Sequence, residues 1–287
     1  MRRYLARLIP GPLKPMLRKI YYLPVYVAHR LKFSAQGTDM VPPASMVFVG
    51  IGDFERVGKE FLRYFIELGA LKPGERVLDV GCGIGRMAIS LTGYLSSEGE
   101  YRGFDIVKEG IEWCTGRITP RFGNFRFQHS DVLNKHYNPG GKVAAADYRF
   151  PYENERFDFA FLTSVFTHMF PLDLENYLRE LARVLKPGGR CLVTLFLLNN
   201  ESRMAISAGR SELDFRHEVS GGCLASNPKD PEAAIAYDEQ AMFDLFERFG
   251  LKVGQPVHYG SWCGRGRYLS FQDIVVATKA NSSRGAH

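Results

Sequence analysis

An apolar strand that runs directly into a glycine turn and then a helix admits few folds, and residues 77–86 form such a stretch. They read Val77-Leu78-Asp79-Val80-Gly81-Cys82-Gly83-Ile84-Gly85-Arg86. Glycines at 81, 83 and 85 allow a sharp strand-to-helix turn and let the backbone come close to a ligand where side chains would obstruct it. A glycine trio also occurs in purely structural turns, so its surroundings decide what it means.

Those surroundings alternate regularly. Helical spacing of Phe54, Val57, Phe61, Leu62, Phe65, Ile66 and Leu68 ends at the stop signal Lys72-Pro73-Gly74. Short apolar runs at 76–80, 101–104, 125–128, 157–162 and 190–197 then read as strands, separated by helical patterns near 85–95, 108–119 and 172–185. Strand, helix and strand in succession imply right-handed crossovers and an open parallel α/β sheet with helices on both faces. Residues 199–237 are polar and are expected to be an irregular excursion before a helix at 238–249. Two last strands, at 252–257 and 269–278, are spaced as an antiparallel hairpin.

Two acids give the glycine turn chemical content. Asp105 ends the second strand, where a carboxylate beside the loop can accept two hydrogen bonds from a ribose diol. Asp131 follows the third strand in His129-Ser130-Asp131-Val132, within reach of an exocyclic amino group on an adenine. Either acid alone is ordinarily a surface residue or a cap. Their placement at the ends of consecutive strands points to a nucleoside. The dinucleotide fingerprint needs glycine at 86, where Arg86 stands, so a ligand without a pyrophosphate is favoured.

With the loop Asp79 to Gly85, Asp105, the Ser130-Asp131-Val132 turn, the strand at 157–162 and Leu185-Lys186-Pro187-Gly188-Gly189 leading into a fifth strand, the chain resembles the class I S-adenosylmethionine-dependent methyltransferases. The resemblance implies a Rossmann-like seven-stranded sheet with an antiparallel last strand and S-adenosyl-L-methionine as cofactor. It also implies that Asp79, Gly81 and Gly83 hold the methionine part, Asp105 the ribose, and Asp131 with Val132 and Ile106 the adenine. Cys82, Arg86 and Thr163 complete the expected cofactor contacts.

Since a sulfonium methyl is already activated, such an enzyme must align the nucleophile, exclude water and remove a proton when the acceptor is a hydroxyl. Thr163-Ser164-Val165-Phe166-Thr167-His168-Met169 follows the fourth strand, and His168 is the expected base, against the alternative of a helix-capping or carbonyl-bonded histidine. The excursion 199–237, with Arg203, Arg210, Arg216 and His217, is expected to cover the site as a lid. In the final hairpin Tyr259, Trp262, Arg265 and Arg267 are expected to meet the acceptor, Trp262 by stacking and the arginines by clamping an anion. The alternative is a glycine-rich turn with Trp262 in the core and the arginines in water.

Absences narrow the acceptor. Leu162-Thr163-Ser164-Val165 stands where amino-methylating DNA enzymes carry an Asn/Asp-Pro-Pro-aromatic motif, and no cysteine stands there for cytosine C5 chemistry. No carboxylate cluster or Cys/His spacing marks a metal. Of 37 lysines and arginines, eight fall in residues 1–38 without a single acid, leaving 29 bases against 31 acids elsewhere, so the body lacks the excess of a nucleic-acid binder. That leaves a small-molecule or glycan hydroxyl, and short patches at 164–169, 261–265 and 272–274 resemble methyltransferases of saccharide and secondary-metabolite pathways. The competing reading is a catalytically silent cofactor-binding partner or regulatory subunit.

Three parts are expected: a basic amphipathic arm at 1–50, whose first 35 residues can touch an anionic membrane surface, a catalytic domain at 51–280 and a frayed tail at 281–287. Five scattered cysteines, Cys82, Cys114, Cys191, Cys223 and Cys263, read as free thiols of a cytoplasmic protein, peripheral at the inner membrane face if the arm binds lipid.

Overall fold

The computed structural model describes residues 40–48 and 52–281. The basic stretch 1–38, and with it the expectation of membrane contact, lies outside the described residues, as does nearly all of the tail. Among the described residues no helix is long and apolar enough to cross a membrane.

The chain orders its elements as α1 (Phe54–Glu67), β1 (Arg76–Val80), α2 (Arg86–Leu91), β2 (Glu100–Asp105), α3 (Lys108–Arg117), β3 (Phe125–His129), β4 (Phe157–Leu162), α4 (Pro171–Val184) and β5 (Leu185–Leu195). There follow β6 (Leu197–Leu198), α5 (Asn200–Ser207), β7 (His217–Glu218), β8 (Leu224–Ala225), β9 (Ile235–Asp238), α6 (Glu239–Arg248), β10 (Leu251–Val253) and β11 (Asp273–Lys279). Seven strands form one sheet in the order β10-β11-β5-β4-β1-β2-β3. Pairing is parallel from β3 through β5, while β11 runs antiparallel to both β5 and β10. This is the Rossmann-like sheet with an antiparallel last strand.

Both faces of the sheet are covered, which is why the central strands read as unbroken apolar runs. Alternate residues serve different layers. Val77, Phe159, Phe161, Leu192 and Ile274 pack beneath α1 with Tyr64 and Phe65, and the Phe65 ring stacks on Phe161 at 4.2 Å between centroids. Leu78, Val80, Ala160, Leu162 and Val193 face the other way, against Leu174, Leu178 and Leu181 of α4. Each such large side chain, fully buried, contributes about 1.5–3 kcal/mol. Asp53 caps α1 by accepting from the Arg56 N–H at 2.8 Å. Beyond its other end Arg190 donates to the carbonyls of Gly69 and Ala70 and to both oxygens of Glu75.

Residues 199–237 depart from the expected irregular coil. Asn199 accepts from Ser202 N and starts α5, and β6, β9, β8 and β7 make a separate four-stranded sheet. Three of these strands are two residues long, too short for an alternation to be visible in sequence. A core of Phe196, Leu198, Ala205, Ile206, Phe215, Ala236 and Trp262 lies beneath them. The penultimate strand is also shorter than expected, stopping at Val253, since Pro256 has no N–H to offer a ladder.

Candidate active site

The carboxyl ends of β1, β2, β3 and β4 open onto one cavity of about 770 Å³, the place where open parallel sheets hold ligands. The glycine turn forms its floor. Gly81 has φ +77°, and a Cβ there would stand 2.5 Å from Val165 Cγ2. Gly85, at φ +82°, caps the start of α2, and a Cβ added there would clash with Cys114 Sγ at 2.8 Å. Turn and helix therefore sit too close to their neighbours for a side chain.

Two buried carboxylates face this floor. Asp105 accepts from Gly83 N at 2.7 Å on one oxygen and from Val107 N at 2.8 Å on the other. Each oxygen keeps a second lone pair, so the residue holds the glycine turn and can still accept from a diol. Asp79 accepts from the Tyr101 hydroxyl at 2.7 Å on Oδ2, while its buried Oδ1 has no hydrogen-bond partner. Burial raises the pKa of both, and for Asp79 the neighbouring Asp105 adds to the rise. An orphaned buried carboxylate oxygen beside a second acid is a donor-seeking pair. It suits a ligand that brings a cationic amine and two hydroxyls, as S-adenosylmethionine does.

His168 occupies the short turn Phe166–His168 after β4 and also lines the cavity. Its Nδ1 lies 2.7 Å from the carbonyl oxygen of Glu232. A carbonyl only accepts, so Nδ1 carries the hydrogen of the neutral ring and Nε2 keeps the lone pair. Burial, the largest cause, lowers the His168 pKa below its ordinary 6.5. The ring is thus a neutral base with a fixed tautomer, and the carbonyl bond supplies its orientation.

Of the remaining expected cofactor residues, Gly81, Cys82, Arg86, Ile106, Val132 and Thr163 line the cavity with Asp79 and Asp105. Gly83 serves through its N–H to Asp105. Asp131 stands outside the lining, its carboxylate 4.0 Å from Lys142 Nζ.

The expected acceptor residues are not brought together there. Trp262 is 0% exposed, packed edge-on to Phe196 and Phe215, with its Nε1 donating to buried Asp273 at 2.8 Å. It is a core residue and offers no stacking face, because a fused ring with a partnered N–H is worth more buried than wet. Arg265 is held by Glu201 and Asp273 and lies over the Tyr259 ring, so its charge is already neutralised. Tyr259, Arg265 and Arg267 border a separate hollow of about 550 Å³, and His217 is exposed on β7. The hairpin reaches the main cavity through Ser270, Phe271 and Gln272 instead.

Most of the cavity's other wall is not marked in the sequence. Phe48, Phe61, Tyr137, Tyr177 and Phe271 bring aromatic faces, and Glu60, Asp173, Glu212 and Glu232 bring carboxylates. These positions carry no motif and are assembled from segments far apart in the chain.

Sheet order, glycine turn and paired acids together define the class I S-adenosylmethionine-dependent methyltransferase architecture. The family described as "Methyltransferase domain" matches residues 53–255, well over half of the chain, and the chain belongs to that family. It is 30% identical over 176 residues to the ubiquinone/menaquinone biosynthesis C-methyltransferase UbiE of Azotobacter vinelandii, covering 61% of this chain and 62% of that protein. It is also 30% identical over 123 residues to the O-methyltransferase cnsE of Penicillium expansum, covering 42% and 37%. The chain thus spans less than two thirds of these curated relatives' own length. Among solved structures, the [4+2]-cyclase SpnF superposes with a TM-score of 0.53 at 16% identity, over 95% of this chain and 98% of that one. The PH0226 protein of Pyrococcus horikoshii OT3 gives 0.53 at 14%, over 82% and 95%. At such identities the likeness is one of fold, and fold alone does not fix chemistry.

Proposed function

We propose that the protein is an S-adenosylmethionine-dependent methyltransferase that methylates a hydroxyl of a small acceptor, with His168 as the general base. The observation that carries this reading is the His168 Nδ1–H bond to the Glu232 carbonyl, which leaves a basic Nε2 in the cavity that also holds Asp79, Gly81 and Asp105. Bound there, the cofactor would supply a methyl group on a sulfonium centre. Asp105 would hold the ribose hydroxyls and Asp79, with the Gly81 backbone, the methionine end. Ile106 and Val132 would flank the base. His168 takes the acceptor's proton as the oxygen becomes a nucleophile.

The lining bears on the acceptor. Glu60, Asp79, Asp105, Asp173, Glu212 and Glu232 outnumber Arg86 and His168, so the cavity disfavours an anionic acceptor such as a phosphorylated sugar. Aromatic rings of the lining such as Phe48, Tyr137 and Phe271 can take the flat face of a sugar or of a hydroxylated ring, which keeps a neutral saccharide within the proposal although Trp262 gives it no support. An O-methyltransferase among the relatives is consistent with a hydroxyl acceptor.

The test is His168→Ala assayed with saturating S-adenosylmethionine and the acceptor. Turnover is expected to fall by about 10²–10⁴ with unchanged affinity for S-adenosylhomocysteine. In the parent enzyme the rate should rise with pH through a midpoint below the ordinary 6.5, because burial disfavours the imidazolium. Retained turnover in the variant would remove the base from the proposal.

A further inference from the structure

We propose that His136, Asp230 and Glu232 form a latch between two loops that positions His168; the inference rests on the reading of His168 as the base. The turn that carries His168 is held through His168 N to Val165 O at 3.0 Å and Met169 N to Phe166 O at 3.3 Å, and by the Tyr237 hydroxyl, which donates to the Phe166 and Met169 carbonyls; none of these bonds reaches the imidazole. The imidazole itself is gripped from outside. Glu232, in the turn Pro231–Ala233 of the 199–237 segment, holds Nδ1 through its carbonyl. Tyr137, in the connection between β3 and β4, sets its ring edge-on to the imidazole at 6.3 Å and 75°.

These two gripping segments are tied to each other. His136 Nε2 lies 2.6 Å from Asp230 Oδ1, and since a carboxylate only accepts, His136 donates whether or not its ring is charged. Next to it, Asn134 Nδ2 donates to Glu232 Oε2 at 3.4 Å and Lys135 Nζ stands 3.8 Å from Glu232 Oε1. Asn134 also orders its own loop, accepting from the N–H groups of His136 and Tyr137, both at 3.0 Å. These bonds, together with the edge contact of the two rings, close a circuit that runs from His168 through Glu232 and Asp230 to residues 134–136, through Tyr137, and back to His168. None of these ties is needed to build the seven-stranded sheet. Their common effect is to keep the Glu232 carbonyl on Nδ1, and without that acceptor a neutral imidazole is free to place its proton on Nε2, where it cannot act as a base.

His136, Asp230 and Glu232 are therefore positioning residues. The ties are partly exposed, so each one alone is expected to matter little, and the pair Asp230→Ala/Glu232→Ala is the informative variant. Proteins labelled with ¹⁵N-histidine are compared at a pH above the His168 transition, without donor or acceptor. The parent should show His168 protonated at Nδ1, and the double variant a mixture of tautomers. With substrates, kcat should fall about 10-fold or more while the KM for S-adenosylmethionine stays constant, and Glu232→Gln, which keeps an acceptor for Asn134, should restore both readouts. If the double variant folds poorly, Lys135→Ala/His136→Ala, which cuts two of the ties from their more exposed side, carries the tautomer measurement without touching buried Glu232. An unchanged tautomer and unchanged kcat overturn the latch. A shifted tautomer with unchanged kcat supports the latch and overturns His168 as base, so the two failures are distinct.

Discussion

Replacing Gly81 by alanine tests the close packing of the glycine turn against the segment that carries Val165 and His168. The substitution has two costs in the structure. At φ +77° an L side chain is strained, by roughly 1–2 kcal/mol. The new Cβ would also stand 2.5 Å from Val165 Cγ2, about 1 Å inside a normal carbon contact of about 3.5 Å, and overpacking of this kind costs about 1–3 kcal/mol. Together Gly81→Ala should destabilise by about 2–5 kcal/mol. The two parts separate in a double-mutant cycle with Val165→Ala, because Val165 Cβ lies 3.9 Å from the added methyl and truncation leaves ordinary contact. Urea unfolding of the four proteins should give a favourable coupling of about 1–3 kcal/mol, with the backbone part uncorrected. Binding of S-adenosylhomocysteine should weaken in Gly81→Ala and recover in part in the double variant. A coupling within about 0.5 kcal/mol of zero would refute the claimed contact between turn and segment.

Other substitutions separate ligand contacts from scaffold. Trp262→Ala should lower stability by about 3–5 kcal/mol in chemical denaturation, yet leave cofactor affinity measured by calorimetry near the parent value, since the ring is buried away from the cavity. Asp105→Ala removes acceptors used by the Gly83 and Val107 N–H groups and those proposed for the ribose. With charged hydrogen bonds worth about 1.5–3 kcal/mol each, affinity for S-adenosylhomocysteine should drop at least about 10²-fold in the same assay. Cys82 lines the cavity, but burial and the nearby acids Asp79 and Asp105 push its thiol pKa well up. Alkylation by iodoacetamide, followed by mass spectrometry, should be slow at pH 7.5 and faster in Asp105→Ala.

What could be read in advance was local or periodic. The strands from 76 to 197 announced themselves because burial on both faces demands continuous apolar runs, and the glycine turn with Asp105 because those residues act where they stand in the chain. Helical spacing gives α4 within a residue and the start of α1, whereas α1 ends at Glu67, leaving residues 68–71 between it and the stop signal that the pattern runs up to. The hairpin around Trp262 departs from the expected platform because an exposed platform and a buried ring with a bonded N–H look alike in one dimension. The deciding residue is Asp273, which accepts from Gly260, Trp262 and Leu197 and joins distant segments. The rest of the cavity's lining is invisible for the same reason: Glu232, Tyr137 and Phe271 come from segments far apart in the chain. His168 was found by its place after the fourth strand, but the Glu232 carbonyl that fixes its tautomer is 64 residues away.

The most direct test of the account is transfer itself. The protein would be incubated with methyl-labelled S-adenosylmethionine and a fractionated extract of its source organism, with Asp105→Ala in parallel. Label is expected in a neutral small molecule bearing a methyl ether, absent from the variant's reaction. Label in nucleic acid or protein, or no label despite demonstrated binding of S-adenosylhomocysteine, would contradict the account.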